Sequence, residues 1–172
     1  MDKLRELIRD IPDYPKPGIL FRDIAPLLAD SKALEAATDA LVEPFLDQQI
    51  DVIAAAEARG FIFAVPMAMK LNAGFVPIRK PGKLPYKVHK YKYDLEYGSD
   101  ELQMHIDAIE PGQRVLVVDD LLATGGTMKA CCELLNTCQA EIVACSFLIE
   151  LVALGGAKLL EPYPVQSVIK YD

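Results

Sequence analysis

Asp119 and Asp120, followed closely by Thr124, Gly125, Gly126 and Thr127, are the side chains of this sequence best suited by type and spacing to chemistry. They stand in the stretch VLVVDDLLATGGT at 115–127. Val115, Leu116, Val117 and Val118 form the unbroken apolar run of a strand buried on both faces of a parallel sheet, and the pattern predicts that the two acids end it. Charge at the edge of a core is costly unless something polar meets it. The next residues suggest what does: they lead into a helical pattern over 128–136, so backbone N–H groups and two hydroxyls converge on one anion at a helix N-terminus. Glycine lets the backbone come close to that anion. The acids beside this cup would accept hydrogen bonds from sugar hydroxyls and repel a second phosphate. The expected ligand is a ribose 5-phosphate, held by Asp119, Asp120, Ala123, Thr124, Gly125, Gly126 and Thr127. No Lys follows the glycines, which excludes a P-loop, and their spacing is not that of a dinucleotide fingerprint. An ordinary strand, turn and helix could carry two glycines, but it would leave the paired acids unexplained.

Four further groups could act with this cup. Glu57-Ala58-Arg59-Gly60 follows a predicted strand and so falls on the same rim as Asp119, with Arg59 offering a forked guanidinium for phosphate oxygens; a surface ion pair is the plain alternative. Arg79, Lys80, Lys83, Lys87, Lys90 and Lys92 follow one another without an intervening acid, a local positive field suited to a polyphosphate or, more simply, a solvated basic loop. Pro81, Gly82 and Pro85 make 81–97 a candidate lid with defined hinges, of the kind that keeps water from a reactive intermediate. Glu96 and Tyr97 close it; a carboxylate delivered there could handle the proton of an attacking nitrogen or stabilise a developing cation, although by themselves they fit an exposed strand end. In Leu20-Phe21-Arg22, Phe21 could stack on a flat base, Arg22 could hydrogen-bond its edge and the Leu20 backbone could read an exocyclic amine. The alternative there is a core Phe beside a structural Arg22–Asp23 pair.

The elements that must position these groups alternate in type. A short amphipathic helix is expected at the start, with Leu4, Leu7 and Ile8 on one face, then an extended passage imposed by Pro12, Pro15 and Pro17. Apolar residues at 34, 37, 41 and 45 predict a helix from 31 to about 47, capped by Asp30 or Ser31. Strands are expected at 52–56, 75–78, 115–118, 142–149 and 165–169, with a helix over 61–71 that contains Pro66. Such alternation implies an α/β fold with a mostly parallel sheet flanked by helices and ligands at the carboxyl ends of its strands.

Composition narrows the partners. With 172 residues, 52% of them hydrophobic, one domain with a substantial core is expected. A formal charge of −7 argues against a general nucleic-acid binder and for small-molecule substrates. No stretch is long and uncharged enough to span a membrane, and the charged amino terminus is unlike a signal peptide, so a cytoplasmic location is expected. Cys131, Cys132, Cys138 and Cys145 lack metal-ligand spacing and are expected to be ordinary thiols. His89 and His105 are isolated, and His105 receives no catalytic role.

VVDDLLATGGT resembles the signature of the type I phosphoribosyltransferases, and PKPGILFRDI from Pro15, EARGF from Glu57, RKPGKLP from Arg79 and YDLEYG from Tyr93 are similar to blocks of its adenine-using purine branch. The resemblance implies the family's twisted parallel sheet with a hood at about 10–30 and a flexible lid at about 81–97. It implies transfer of the phosphoribosyl group from 5-phosphoribosyl diphosphate to adenine, giving AMP and diphosphate. Glu57, Ala58, Arg59, Lys80 and Lys83 would bind diphosphate, with a non-proline cis peptide between Glu57 and Ala58. Leu20, Phe21 and Arg22 would select adenine, and Glu96 with Tyr97 would approach the reacting centre. Mg2+ would arrive chelated by the substrate without a dedicated protein cluster, and the enzyme would be a homodimer, with a basic residue of one subunit reaching toward the other's diphosphate. Hypoxanthine, xanthine or orotate as the base, or a non-catalytic module sensing phosphoribosyl diphosphate, are the alternatives. Ala55 stands where many relatives have Gly, and KVHKYK in the lid is less polar than the family pattern.

Overall fold

The computed structural model describes residues 2–94 and 99–172. Helix α1 (Asp2–Glu6) leads to two short strands, β1 (Arg9–Ile11) and β2 (Phe21–Asp23), which pair antiparallel across the proline-rich passage. The periodicity gave no sign of this pairing, because strands of three residues carry too few alternations to register. After α2 (Ala25–Ala29), Asp30 caps α3 (Ser31–Val42): its side chain accepts from the N–H groups of Lys32 at 2.9 Å and Ala33 at 3.0 Å. The helix stops short of the expected end near residue 47. Pro44 has no N–H to continue the ladder, and the chain tightens into a 3-10 turn over Glu43–Phe45 that still buries Phe45.

Five parallel strands form the main sheet: β3 (Val52–Ala56), β4 (Gly74–Ile78), β7 (Arg114–Leu122), β8 (Glu141–Leu151) and β9 (Val165–Tyr171), in the order β4-β3-β7-β8-β9. Helix α4 (Gly60–Leu71), running through Pro66 as expected, follows β3, and α5 (Gly126–Asn136) follows β7. Alternate residues of β3 and β7 enter two cores on opposite faces. Ile53, Ala55, Leu116 and Val118 pack with Leu41, Phe63 and Met67, whereas Val52, Ala54, Val115 and Val117 pack with Cys131, Leu134 and Leu135. From β3 the chain crosses outward to β4, while from β7 it proceeds the other way to β8 and β9. The order therefore reverses between β3 and β7, which opens a crevice at their carboxyl ends.

Two expectations are corrected. The acids do not end their strand: β7 continues through Asp119 and Asp120 to Leu122, its outer half paired with β8 from Asp119↔Phe147 to Leu122↔Glu150. Backbone pairing on that side outweighs the local cost of two carboxylates. Part of the 81–97 excursion is also a strand, β5 (Val88–Asp94), paired antiparallel with an unforeseen β6 (Ser99–His105). From His89 onward the chain alternates: Lys90 and Lys92 are exposed, while Tyr91 and Tyr93 pack with Leu102 and Met104 against the second core.

Candidate active site

The crevice between β3 and β7 holds a cavity of about 290 Å³ lined by Glu57, Ala58, Arg59, Lys80 and the continuous stretch 119–128. All seven residues expected at a sugar phosphate therefore stand with four of the five expected at the diphosphate. They come together because strand ends on either side of a reversal point in the sheet have no crossover between them to cover the gap.

The floor is the turn from β7 into α5. Gly125 adopts φ +84 and a Cβ there would lie 2.9 Å from the carbonyl oxygen of Gly156, so glycine is required on both conformational and steric grounds. No side chain caps α5, which leaves its first-turn N–H groups open to a ligand. Thr124 and Thr127 are exposed beside them. Gly156, at the start of the short helix α6 (Gly156–Leu159), buttresses the turn from behind: a Cβ on it would meet the Ala123 carbonyl at 2.3 Å and Leu122 at 2.9 Å. Sequence reasoning passed over Gly155-Gly156, whose only signal was a second glycine pair with no motif around it.

The acids form the wall. Asp120 is buried, and Arg59 Nε reaches its Oδ2 at 3.0 Å. Burial and the Asp120 charge push Asp119 up to about 8, and burial also raises Asp120, opposed by the Arg59 guanidinium. Near neutral pH the pair thus resists carrying two charges, and the Arg59 guanidinium favours placing the one charge on Asp120. Gly60 allows this approach: a Cβ there would lie 3.0 Å from both Asp119 Oδ1 and the Val118 carbonyl.

The opposite wall belongs to the end of β3 and the segment after β4. The Glu57–Ala58 peptide is cis. Glu57 faces its own neighbours: its carboxylate accepts from the Lys80 N–H at 2.6 Å and pairs with Arg79 at 3.4 Å. Burial opposes ionisation of Glu57, but those hydrogen bonds, with the nearby charges of Arg79 and Lys83, hold it below the usual carboxylate range. Lys80 is ion-paired with Asp100 on β6, and the Tyr93 hydroxyl on β5 lies 3.2 Å from Asp100 and 3.5 Å from the Thr127 hydroxyl. Asp100 and Tyr93 escaped the sequence reading because the pairing that aligns them, Tyr93↔Asp100, belongs to a strand pair that was not foreseen. Lys83 is exposed and does not line the cavity.

On the β2 side, the Phe21 ring lies 5.5 Å from the Arg59 guanidinium, which links β2 to the acid wall, and Tyr14 meets Phe21 edge-on at 5.2 Å. Leu20 is exposed. Arg22 is occupied elsewhere: it pairs with Asp10, not with Asp23, and its guanidinium lies 3.8 Å over the Tyr171 ring. Asp23 instead accepts from Arg9 and from the Ala25 N–H. Glu96 and Tyr97 lie outside the described residues. Among the described residues no group of three or more His, Cys, Asp or Glu is placed to hold a metal ion. The four cysteines are buried free thiols.

Residues 26–169 match the phosphoribosyl transferase domain, and the chain belongs to that family. Within the family it is similar to an adenine phosphoribosyltransferase of Rhodopirellula baltica, 70% identical over 98% of this chain and 82% of that protein. The crystal structure of adenine phosphoribosyltransferase from Thermoanaerobacter pseudethanolicus superposes with a TM-score of 0.96 at 48% identity, covering 99% of both chains. That of Saccharomyces cerevisiae, complexed with D-2,5-dideoxy-2,5-imino-altritol 1,6-bisphosphate and adenine, superposes at 0.92 with 37% identity over 97% of each chain.

Proposed function

We propose that this chain is a purine-salvage enzyme that transfers the 5-phosphoribosyl group of 5-phosphoribosyl diphosphate to adenine, releasing AMP and diphosphate. The observation that carries this reading is the meeting, in one cavity, of an uncapped helix N-terminus, paired acids and two cations. Its high likeness to adenine phosphoribosyltransferases over nearly the whole chain supports adenine as the base.

The geometry suits the charge flow. The 5-phosphate takes the N–H groups of 125–127 and the Thr124 and Thr127 hydroxyls, fixing one end of the sugar. Asp120, charged against Arg59, accepts from one ribose hydroxyl, and Asp119, with its raised affinity for a proton, can donate to or accept from the other. As the bond from the anomeric carbon to diphosphate lengthens, positive charge grows on the ribose ring and negative charge on the leaving group. Lys80 and Arg59, the two cations of the cavity, meet the latter, while the Asp120 carboxylate stands near the former. Glu96 takes the proton that leaves the attacking purine nitrogen, with Tyr97 beside it, and the segment 81–97 closes over the site to exclude water. The donor set fits Mg2+: two adjacent carboxylates give hard oxygens, too few for a protein cage, which suits an ion that keeps its waters and binds substrate oxygens. When bound it neutralises the departing diphosphate.

The same reading makes residues 1–172 one domain, with 10–30 as a hood placing Leu20 and Phe21 over adenine. We place the enzyme in the cytoplasm as a homodimer; no helix among the described residues is long and apolar enough to cross a membrane. Ile62, Val65 and Met69 give α4 an exposed apolar face suited to a second copy. The test is a spectrophotometric assay of the purified protein with phosphoribosyl diphosphate, Mg2+ and each nucleobase in turn. AMP formation from adenine is expected; preferential turnover of hypoxanthine, xanthine or orotate would overturn the reading.

A further inference from the structure

We infer that Asp100 is a built-in competitor for Lys80: it holds this cation in place at the cavity wall and limits how tightly the site grips diphosphate. Lys80 lines the cavity, yet its ammonium is ion-paired with Asp100, one strand pair away. Asp100 is itself fixed. Its Oδ1 accepts from the Glu101 N–H at 2.8 Å, and its Oδ2 is shared by Lys80 and the Tyr93 hydroxyl. The Lys80 pairing holds the Asp100 carboxyl below the usual carboxylate range, so it stays charged under ordinary conditions. A fixed anion beside the cation lowers the positive potential that an arriving diphosphate meets, and the ligand must draw the ammonium away from a partner already satisfied. Arg59 stands in the same relation to Asp120, but Asp120 also faces the sugar. Among the described residues, Asp100 reaches the cavity through Lys80 and, by way of Tyr93, Thr127. Moderate affinity matters here because diphosphate is a product and must leave.

The inference rests on the proposed function, and its test separates the two. Binding of inorganic diphosphate, with and without Mg2+, is measured by calorimetry on the full chain. In Asp100→Asn the amide oxygen can still accept from Lys80 while the charge is gone, so diphosphate should bind about two- to fivefold more tightly, with KM for adenine unchanged. Asp100→Glu should restore the parent affinity, and in a Lys80→Met background Asp100→Asn should have no effect, as coupling through Lys80 demands. A residue that merely held the strands together would weaken binding when replaced. Unchanged or weaker diphosphate binding by a folded Asp100→Asn protein, checked by thermal unfolding, overturns the inference. Failure of the parent protein to bind diphosphate at all overturns the proposed function and the inference with it.

Discussion

Residues 119–127 reach the cavity as continuous backbone, locked between a five-strand sheet and Gly156, whereas Lys80 reaches it as the end of one flexible side chain whose place is set by Asp100 on another strand. The first arrangement presents N–H groups whose positions are fixed before any ligand arrives. The second spends side-chain entropy and is held by an ion pair that a ligand can compete for. On the proposed function the difference separates two tasks: the end of the substrate that stays bound throughout would meet a rigid cup, and the end that must depart would meet movable cations. Predictions that disturb one side should therefore register in different kinetic constants from those that disturb the other.

The largest effect is expected from the segment between β5 and β6. Glu96→Gln keeps the shape of the side chain and removes its basicity, so kcat should fall by ~100-fold with KM for phosphoribosyl diphosphate little changed. Steady-state kinetics decide it: unchanged turnover would remove Glu96 from the mechanism. On the rigid side, Gly156→Ala forces a methyl group to within 2.3 Å of the Ala123 carbonyl. The cup must shift, which should raise KM for phosphoribosyl diphosphate by about tenfold and cost about 1–3 kcal/mol of stability. Gly126→Ala is the contrast, because a Cβ there meets nothing within 4 Å; its thermal midpoint should stay near the parent value. Equal losses of stability in the two glycine variants would contradict the buttress.

The same division governs what could be read from the sequence. The cup was legible because its parts are local: the apolar run, the acids, the glycines and the helix start follow one another within 115–128, and covalent neighbours need no tertiary information to be placed together. The five parallel strands were legible for the same reason, each being a run with its own boundaries. What escaped depends on partners far along the chain. Three-residue β1 owes its existence to β2, β6 owes its register to β5, and the Gly156 buttress is visible only once α6 packs behind Ala123. Arg22, expected at the edge of a base, depends on distant partners in the same way: on a strand adjacent side chains point to opposite faces, so the cross-strand residue Asp10, not the neighbour Asp23, takes its contact.

The acid wall gives a pH signature that the Lys80 side should lack. Asp119 is raised to about 8 in the folded protein, above its ordinary value of 3.8, so the folded state prefers the protonated form. That contribution to stability is whole below about pH 4 and is lost as pH rises through about 8. Asp119→Asn carries no such loss. Its midpoint relative to the parent should climb between pH 5 and 9, at ~2–4 °C for each kcal/mol regained. Thermal unfolding at pH 5, 7 and 9 measures this directly, and a difference between the two proteins that stays flat with pH would mean that Asp119 titrates normally.

The smallest expected effect falls at the proposed base end, where structure and sequence assign Arg22 different work. Its guanidinium stacks 3.8 Å over Tyr171, the last residue of β9, and pairs with Asp10, so it ties the β1–β2 pair to the edge of the main sheet. Phe21, next to it, instead faces Arg59 and the acid wall. Arg22→Met keeps much of the apolar stem but loses both the ion pair and the cation–π contact, and should cost about 1 kcal/mol. Its effect on KM for adenine should be smaller than that of Phe21→Ala, which removes the aromatic surface suited to stacking on a purine. If instead Arg22→Met leaves the thermal midpoint untouched and raises KM for adenine more than Phe21→Ala does, the guanidinium must leave Tyr171 to read the base. The β1–β2 pair would then belong with Lys80 among the movable parts of the site.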